Sequence, residues 1–152
     1  MGSQRIDYAK ASPNGYRAML ALERHVASCG LDRRLLELVK TRASQINACA
    51  FCIDMHTKDA RHAGESEQRL YGLSAWREAP YYTARERAAL AWTEAVTRLD
   101  GYIGDDVYGP IREQFSDSEI ADLTFAIVLI NGWNRLAVPF RIPAGTHRAG
   151  ED

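Results

Sequence analysis

Two cysteines and a histidine lie close together in the segment from Glu37 to His56, which reads ELVKTRASQINACAFCIDMH. Cys49 and Cys52 form a Cys-x-x-Cys pair, and His56 follows about one helical turn after Cys52. On a helix, positions i, i+3 and i+7 lie near one stripe, because side chains three and four residues apart share a face. A thiol pair beside an imidazole is suited to dithiol chemistry, in which one sulfur attacks, the other resolves and the histidine moves the proton.

Two other interpretations of these residues are open. Free cysteines are among the most buried residue types, so a core helix that carries two buried thiols is the first. A zinc site is the second, but a structural zinc ion needs four ligands. The remaining candidates, Cys29 and His25, belong neither to a second Cys-x-x-Cys motif nor to a His-x-x-x-His motif. We therefore favour a redox-active dithiol.

The segment resembles the carboxymuconolactone decarboxylase superfamily, and within it the AhpD-like alkyl hydroperoxidase branch. That branch has a glutamate followed about one helix later by Cys-x-x-Cys-x-x-x-His, a pattern met here by Glu37, Cys49, Cys52 and His56. The resemblance runs from about residue 31 to residue 135. It implies that Cys52 attacks peroxide, that Cys49 resolves the product, and that Glu37 and His56 relay the proton.

One position departs from the pattern, and one physical argument disagrees with the implied roles. Where members of the branch have a second histidine beside the second cysteine, this chain has Phe51. Asn47 is a plausible N-cap for the cysteine-bearing helix, which places Cys49 in its first turn, where the helix dipole favours a thiolate. Helix physics alone therefore nominates Cys49 as the nucleophile. We assign the attack to Cys52, because His56 is one turn from Cys52 and two turns from Cys49.

The resemblance implies a thiol-dependent peroxidase that reduces hydroperoxides, with no bound cofactor and no metal. It also implies that an external dithiol, either a lipoyl-bearing or a thioredoxin-like protein, resets the pair. Two alternatives are a carboxymuconolactone-decarboxylase-like enzyme and a non-enzymatic, zinc-stabilised helical module. The decarboxylases generally lack the cysteine pair, and Cys49 and Cys52 argue against that alternative.

Length predicts one domain over residues 1–152, with loose ends at about 1–13 and 143–152. Hydrophobic residues at 46% and charged residues at 26% are ordinary for a globular protein. A formal net charge of -1 offers no basic excess for nucleic acid. We also expect no membrane span, because the most apolar segment, Leu123–Ile130, is short. Three cysteines without an export signal suit a reducing compartment, so we expect a cytoplasmic protein.

Start and stop signals divide the chain into amphipathic helices. Asp32 is a good N-cap, Gly64 can end the cysteine-bearing helix, and Pro110 is expected to interrupt a later one. Two Ser/Thr-x-x-Glu capping boxes, at Thr83–Glu86 and Ser116–Glu119, open two further helices. Since no run of period-two alternation competes with these signals, we predict an all-α bundle, and the resemblance implies that it is AhpD-like. Three tryptophans at helical spacing are expected to pack in the core or at an interface rather than to act in catalysis: Trp76, Trp92 and Trp133.

The helix that follows Ser116 is apolar almost all round in its middle, LTFAIVLI. A helix with this pattern is buried inside the protein or between subunits. A single bundle of short helices has difficulty covering every face of such a segment. We therefore predict a homo-oligomer, with three or six subunits as the resemblance implies.

Overall fold

The computed structural model describes residues 3–150, and within this range every regular element is a helix. The predicted all-α fold is confirmed. Eight α-helices and one short 3-10 segment follow in order: α1 (Tyr8–Ala11), α2 (Pro13–Ser28), α3 (Arg33–Ile46), α4 (Ala50–His62), α5 (Glu67–Tyr71), the 3-10 segment (Leu73–Ala75), α6 (Ala84–Arg98), α7 (Asp105–Gln114) and α8 (Asp117–Phe140).

The predicted caps hold the helix ends in place. The Asp32 carboxylate accepts a hydrogen bond from the Leu35 backbone N–H at 3.0 Å and starts α3. Both capping boxes form, so that α6 and α8 begin with reciprocal side-chain and backbone bonds. Gly64 follows α4 with a φ of +91°, a conformation that favours glycine and lets the chain leave the helix.

Helix α3 lies at the centre of the bundle and contacts α4, α6 and α8. Its apolar face packs with buried side chains of α6 and α8. The buried residues of this cluster include Leu35, Leu36, Val39, Ala88, Ala89, Leu123, Ile127 and Leu129. Because α4 packs beside α3, and α8 contacts both, side chains from these three helices can meet at one site.

A buried carboxylate with three arginine partners also stabilises the bundle. The Glu94 side chain on α6 is buried and binds Arg42 on α3, Arg77 and Arg98, and it accepts a hydrogen bond from the Trp76 indole N–H at 2.9 Å. Burial alone raises the pKa of a carboxylate, but the hydrogen bonds from Arg77, Trp76 and Arg42 outweigh it and lower the pKa of Glu94 to about 2. This ion cluster therefore ties α3 and α6 to the segment that contains the 3-10 helix.

Two predicted helix details were wrong. Asn47 does not cap α4; it ends α3, and its backbone N–H donates to the Ala43 carbonyl at 3.0 Å. Ala48 then takes a left-handed φ of 52°, and Cys49 is the N-cap of α4. Pro110 does not interrupt α7, which is continuous from Asp105 to Gln114.

The ends of the chain, expected to be loose, make specific contacts over their described parts. At the N-terminus, the Asp7 carboxylate accepts a hydrogen bond from the Lys10 N–H at 3.2 Å and caps α1, and the Arg5 N–H donates to the Phe140 carbonyl at 2.9 Å. At the other end, the Gly145 N–H donates to the Asp54 carboxylate of α4 at 3.1 Å. The expected loose ends also include residues 1–2 and 151–152, which lie outside the described range.

Helix α8 has 24 residues and is long and apolar enough, by length and composition, to cross a membrane. This corrects the expectation that the most apolar segment is short. A core helix of a bundle has the same length and composition, and here α8 packs against α2, α3 and α6. Its apolar residues divide into two groups, since Ile127 is fully buried whereas Phe125 and Val128 are about half exposed. The predicted oligomer therefore depends on the second group and stays a prediction.

Candidate active site

The two cysteines of the motif face each other at the start of α4. Both side chains are buried, and their Sγ atoms are 2.7 Å apart. As the N-cap residue, Cys49 also accepts a hydrogen bond from the Cys52 backbone N–H at 3.4 Å. A disulfide bond is about 2.05 Å long, so a small side-chain movement is sufficient to join the two sulfurs.

The two thiols are electrostatically unequal. The hydrogen bond from the Cys52 thiol lowers the pKa of Cys49 to about 7, with help from backbone N–H groups and from the Asn134 amide. The same hydrogen bond, together with burial, raises the pKa of Cys52 well above its ordinary value. Of the two thiols, Cys49 is thus the more acidic, and Cys52 holds its proton more tightly.

Polar side chains of two helices hydrogen-bond to the dithiol: Asn134 acts to lower the pKa of both thiols, and Ser44 acts to lower that of Cys52. Asn134 on α8 is buried and donates to the Ser44 hydroxyl of α3 at 3.1 Å. It also accepts a hydrogen bond from the Asn47 amide at 2.8 Å. Sequence reasoning did not assign Asn134 or Ser44 to the site, although Asn134 is a polar residue beside a long apolar run. A buried amide in that context indicates a specific hydrogen-bonding role.

The predicted proton-relay residues meet beside the thiols. Glu37 on α3 and His56 on α4 are both buried, and the Glu37 Oε2 atom is 2.8 Å from the His56 Nδ1 atom. A carboxylate bonded to one ring nitrogen of a histidine fixes the ring and leaves the other nitrogen for proton transfer. The structure thus brings together all four predicted residues, on α4 and on the face of α3 that packs against it.

A cavity of about 700 Å³ opens next to this group. Its lining contains Cys52, Glu37 and His56, while Cys49 lies behind Cys52 and is not part of the lining. Aromatic side chains of four segments form another part of the wall: Tyr8, Tyr16, Phe51 and Trp133. This volume is sufficient for an organic molecule much larger than hydrogen peroxide, and only one of the two sulfurs faces it.

Trp133 and two charged residues, Glu23 and Lys40, form a further part of the cavity wall. The Trp133 indole N–H donates to the Glu23 carboxylate at 2.8 Å, and the ammonium group of Lys40, itself buried, binds the same carboxylate at 3.1 Å. Packing was the role predicted for the three tryptophans, and each of them also donates a hydrogen bond.

A second histidine lies in the cavity wall, and sequence reasoning missed it. His147 comes from the C-terminal tail, and its Nε2 atom is 2.7 Å from the Asp59 carboxylate of α4. Asp59 in turn lies near the relay, since its carboxylate and the ligand-type atoms of Glu37 and His56 are all within 4.8 Å of one another. Asp59 is therefore part of the cavity wall rather than of a solvated face of α4.

The other candidate ligands for a cysteine-based zinc site are not beside the dithiol. Cys29 packs against the α2–α3–α8 core, and its thiol donates to the Val26 carbonyl at 3.1 Å. His25 is half exposed and binds Asp122 on α8 at 2.9 Å. The set of side chains that converges on Cys49 and Cys52 is thus the one suited to thiol chemistry.

The profile described as the Carboxymuconolactone decarboxylase family matches residues 13–95, more than half of the sequence. The chain belongs to this family. It is 42% identical over 137 residues to the uncharacterized protein YdfG of Bacillus subtilis. The aligned region covers 90% of this chain and 93% of YdfG. A crystal structure from Agrobacterium tumefaciens, of a protein of unknown function provisionally named antioxidant defence protein AhpD, shares 50% identity and superposes with a TM-score of 0.91 over 95% of this chain and 100% of that one.

More distant structures share the fold. A peroxidase-related protein from Ralstonia eutropha, described as an alkylhydroperoxidase AhpD core, has 20% identity and a TM-score of 0.78 over 91% of this chain and 74% of that one. The debrominase Bmp8 has 14% identity and a TM-score of 0.81 over 90% of this chain and 74% of its own. The family match and the Agrobacterium structure confirm the family and the AhpD-like branch, whereas these two distant structures show the shared fold alone.

Proposed function

We propose that the protein is a thiol-dependent hydroperoxidase that reduces organic hydroperoxides with Cys49 and Cys52. The observation that carries the proposal is the position of Cys52, which faces a cavity of about 700 Å³ that it shares with the hydrogen-bonded Glu37–His56 pair, with Cys49 Sγ 2.7 Å behind it. Nucleophile, resolving thiol and base are thus adjacent, as a two-step thiol oxidation requires.

The first step oxidises Cys52. His56, oriented by Glu37, takes the thiol proton, and the sulfur attacks the terminal oxygen of the hydroperoxide R–O–OH. The S–O bond forms while the O–O bond breaks, which leaves Cys52 as a sulfenic acid and releases an alkoxide that is protonated to the alcohol. Sulfur loses two electrons and the peroxide gains them.

The second step closes the disulfide. The Cys49 sulfur attacks the Cys52 sulfenic acid, and the leaving hydroxide takes up a proton to give water. An external dithiol then reduces the disulfide by exchange and is itself oxidised. A lipoyl-bearing or thioredoxin-like protein fits this last role. The chemistry needs no cofactor, and a cytoplasmic homo-oligomer of three or six subunits is the expected form.

Cys52 is the attacking sulfur in this scheme because of access. Cys49 carries the lower pKa, but its side chain is buried and lies outside the cavity lining. A peroxide in the cavity therefore meets Cys52 first. The raised pKa of Cys52 has a consequence for the mechanism, since the thiol must lose its proton before it attacks and therefore depends on a base.

The experiment that tests the proposal measures peroxide loss after mixing the reduced protein with a small excess of tert-butyl hydroperoxide. One equivalent of peroxide should be consumed per chain, and peptide mapping should find the Cys49–Cys52 disulfide with Cys29 still reduced. Cys29→Ser is the matched control and should react normally. No peroxide consumption, or a dominant disulfide that includes Cys29, would rule out the proposal.

Two further variants assign the roles of the sulfurs. Cys49→Ser should stop at a sulfenic acid on Cys52, which dimedone labels, and Cys52→Ser should consume no peroxide. If dimedone instead labels Cys49 in the Cys52→Ser protein, Cys49 is the attacking residue.

A further inference from the structure

The C-terminal tail contributes a second imidazole to the cavity. The His147 Nε2 atom lies 2.7 Å from the Asp59 carboxylate, and both side chains are largely shielded, with 13% and 18% of their surface exposed. Both residues line the cavity that Cys52 faces. Phe51 stands beside Cys52 in the sequence and also lines this cavity, so His147 and His56 are the histidines of its lining.

The tail is fixed to α4 by contacts that flank His147. The Lys58 ammonium donates to the His147 carbonyl at 3.1 Å and also binds the Asp54 carboxylate at 2.9 Å. The Asp54 carboxylate accepts the Gly145 N–H as well, at 3.1 Å. Two anchor residues one turn apart therefore hold the tail backbone on both sides of the histidine, which positions its ring toward Asp59.

The two carboxylate–imidazole pairs of the cavity are close enough to exchange protons. Glu37 and His56 form the first pair, and the Asp59 carboxylate of the second pair lies within 4.8 Å of both. One bridging water, or the oxygen of a bound substrate, spans such a distance with two hydrogen bonds. The charged groups next to His147 are Asp59, Lys58 and Asp54 of α4. The other charged residues of the cavity lining are Glu23, Arg33, Glu37 and Lys40.

We propose that His147, held by Asp59, is the general acid of the proposed peroxidase reaction and protonates the departing alkoxide oxygen. This inference rests on the proposed function. While His56 holds the proton that it has taken from Cys52, the O–O bond breaks: the terminal oxygen stays on sulfur, and the alkoxy oxygen RO leaves with a negative charge. A proton from His147 converts this alkoxide into the neutral alcohol. The proton on His56 then returns to His147 through Glu37 and Asp59, so that the cycle conserves protons.

The test uses two peroxides whose leaving groups differ in their need for a proton. The alkoxide that leaves tert-butyl hydroperoxide is strongly basic, whereas the acetate that leaves peracetic acid is stable without protonation. Positioned acid catalysis contributes on the order of 10²-fold or more. His147→Ala should therefore lose about that factor in kcat/KM with tert-butyl hydroperoxide and react almost normally with peracetic acid.

His147→Gln separates proton donation from tail anchoring. A glutamine amide can still donate a hydrogen bond to Asp59 but cannot transfer a proton, so this variant should behave like His147→Ala. His62→Ala is the matched control, because His62 is an exposed histidine at the end of α4 near the tail residue Gly150 and is not part of the cavity lining. The control should react normally with both peroxides.

Three results would overturn the inference. An equal loss with both peroxides in His147→Ala would show a structural role, and normal activity in His147→Gln would show that the hydrogen bond to Asp59 is sufficient. Unchanged activity in both variants would show that His147 has no role. In all three cases the wild-type protein consumes peroxide and the proposed function stands, whereas a wild-type protein that consumes neither peroxide removes the proposed function and this inference together.

Discussion

Each thiol shifts the pKa of the other: Cys52 lowers the pKa of Cys49, and Cys49 raises the pKa of Cys52. Removing Cys52 should therefore raise the pKa of Cys49, and removing Cys49 should lower the pKa of Cys52. The pKa of Cys49 falls from 9.0 to about 7, chiefly because the Cys52 thiol donates a hydrogen bond to it. At about 1.4 kcal/mol per pH unit, this fall corresponds to a preference of about 3 kcal/mol for the Cys49 thiolate. At pH 7 roughly half of the Cys49 sulfur is then ionised, compared with about 1% for an unperturbed thiol.

Cys52→Ala removes the largest contribution to this fall. The pKa of Cys49 should move back toward 9.0, and its thiolate fraction at pH 7 should decrease by roughly tenfold or more. Cys49→Ala should do the reverse to Cys52, because Cys49 is the first cause of the raised pKa of that thiol. Removal of the more acidic cysteine should therefore make the remaining one more acidic than it is in the wild-type pair.

Thiolate absorbance at 240 nm measures both changes, because it reports ionisation without requiring a reagent to reach a buried sulfur. The titrations are carried out on the reduced protein with Cys29→Ser in the background, so that only the paired thiols contribute. The wild-type pair should show a first midpoint near 7. If Cys49 still titrates near 7 in the Cys52→Ala protein, the hydrogen bond between the thiols is not the cause of its acidity and the reasoning fails.

Three further predictions concern the relay, the buried ion cluster and the apolar helix. His56→Ala should lower the rate of peroxide consumption by about 10²- to 10⁴-fold, the range for a positioned base. Glu37→Gln should lower this rate less. Near-normal rates in both variants would leave the relay without support. Glu94→Gln should reduce the free energy of unfolding in urea at pH 7 by about 2 kcal/mol, after allowance for screening by its exposed arginine partners. Because the folded pKa of Glu94, about 2, lies below its ordinary 4.5, this difference is present in full above about pH 4.5 and disappears as the pH falls toward 2; a difference that is constant over this range would contradict it. Val128→Glu should lower the particle mass in light scattering while the helical circular dichroism signal persists. Ile127→Asp should instead unfold the chain, because only Ile127 is buried within the subunit. A Val128→Glu protein of unchanged mass would exclude the exposed face of α8 as the interface.

The helical scaffold follows from local signals, and these signals are visible in the sequence. Capping boxes at Thr83 and Ser116 depend on residues three positions apart, so reading along the chain is sufficient to find them. The start of α4 was misplaced because asparagine is a common N-cap and cysteine is not. The chain instead uses a left-handed residue at Ala48 to place the Cys49 sulfur on the cap position. Local propensity was outweighed here by the geometry that the site needs.

Contacts between distant parts of the chain account for what sequence reasoning missed in the site. Glu37, Cys49, Cys52 and His56 are close in sequence and share a recognisable spacing. The pairing of Asp59 with His147 joins residues 88 positions apart, and nothing in the tail sequence predicts that it packs along α4. The contribution of Asn134 is equally non-local, because it depends on the way α8 packs against α3.

The lower pKa favours Cys49 as the nucleophile, whereas access to the cavity favours Cys52. The proposed reaction uses both properties, one in each step. The thiolate form of Cys49, the N-cap of α4, is favoured, but Cys49 lies outside the cavity lining. Cys52 faces the cavity but holds its proton tightly, so attack on the peroxide depends on His56 as base. Once Cys52 has become a sulfenic acid, the nucleophile of the next step is Cys49, the resolving sulfur. Backbone N–H groups at the start of α4 and the Asn134 amide also lower the pKa of Cys49, and these hydrogen bonds do not depend on the Cys52 thiol, so they still favour ionisation of Cys49 when it closes the disulfide. The acidity of Cys49 is thus the property expected of a resolving cysteine in a buried pair, where the sulfenic acid has to be consumed before a second peroxide reaches it.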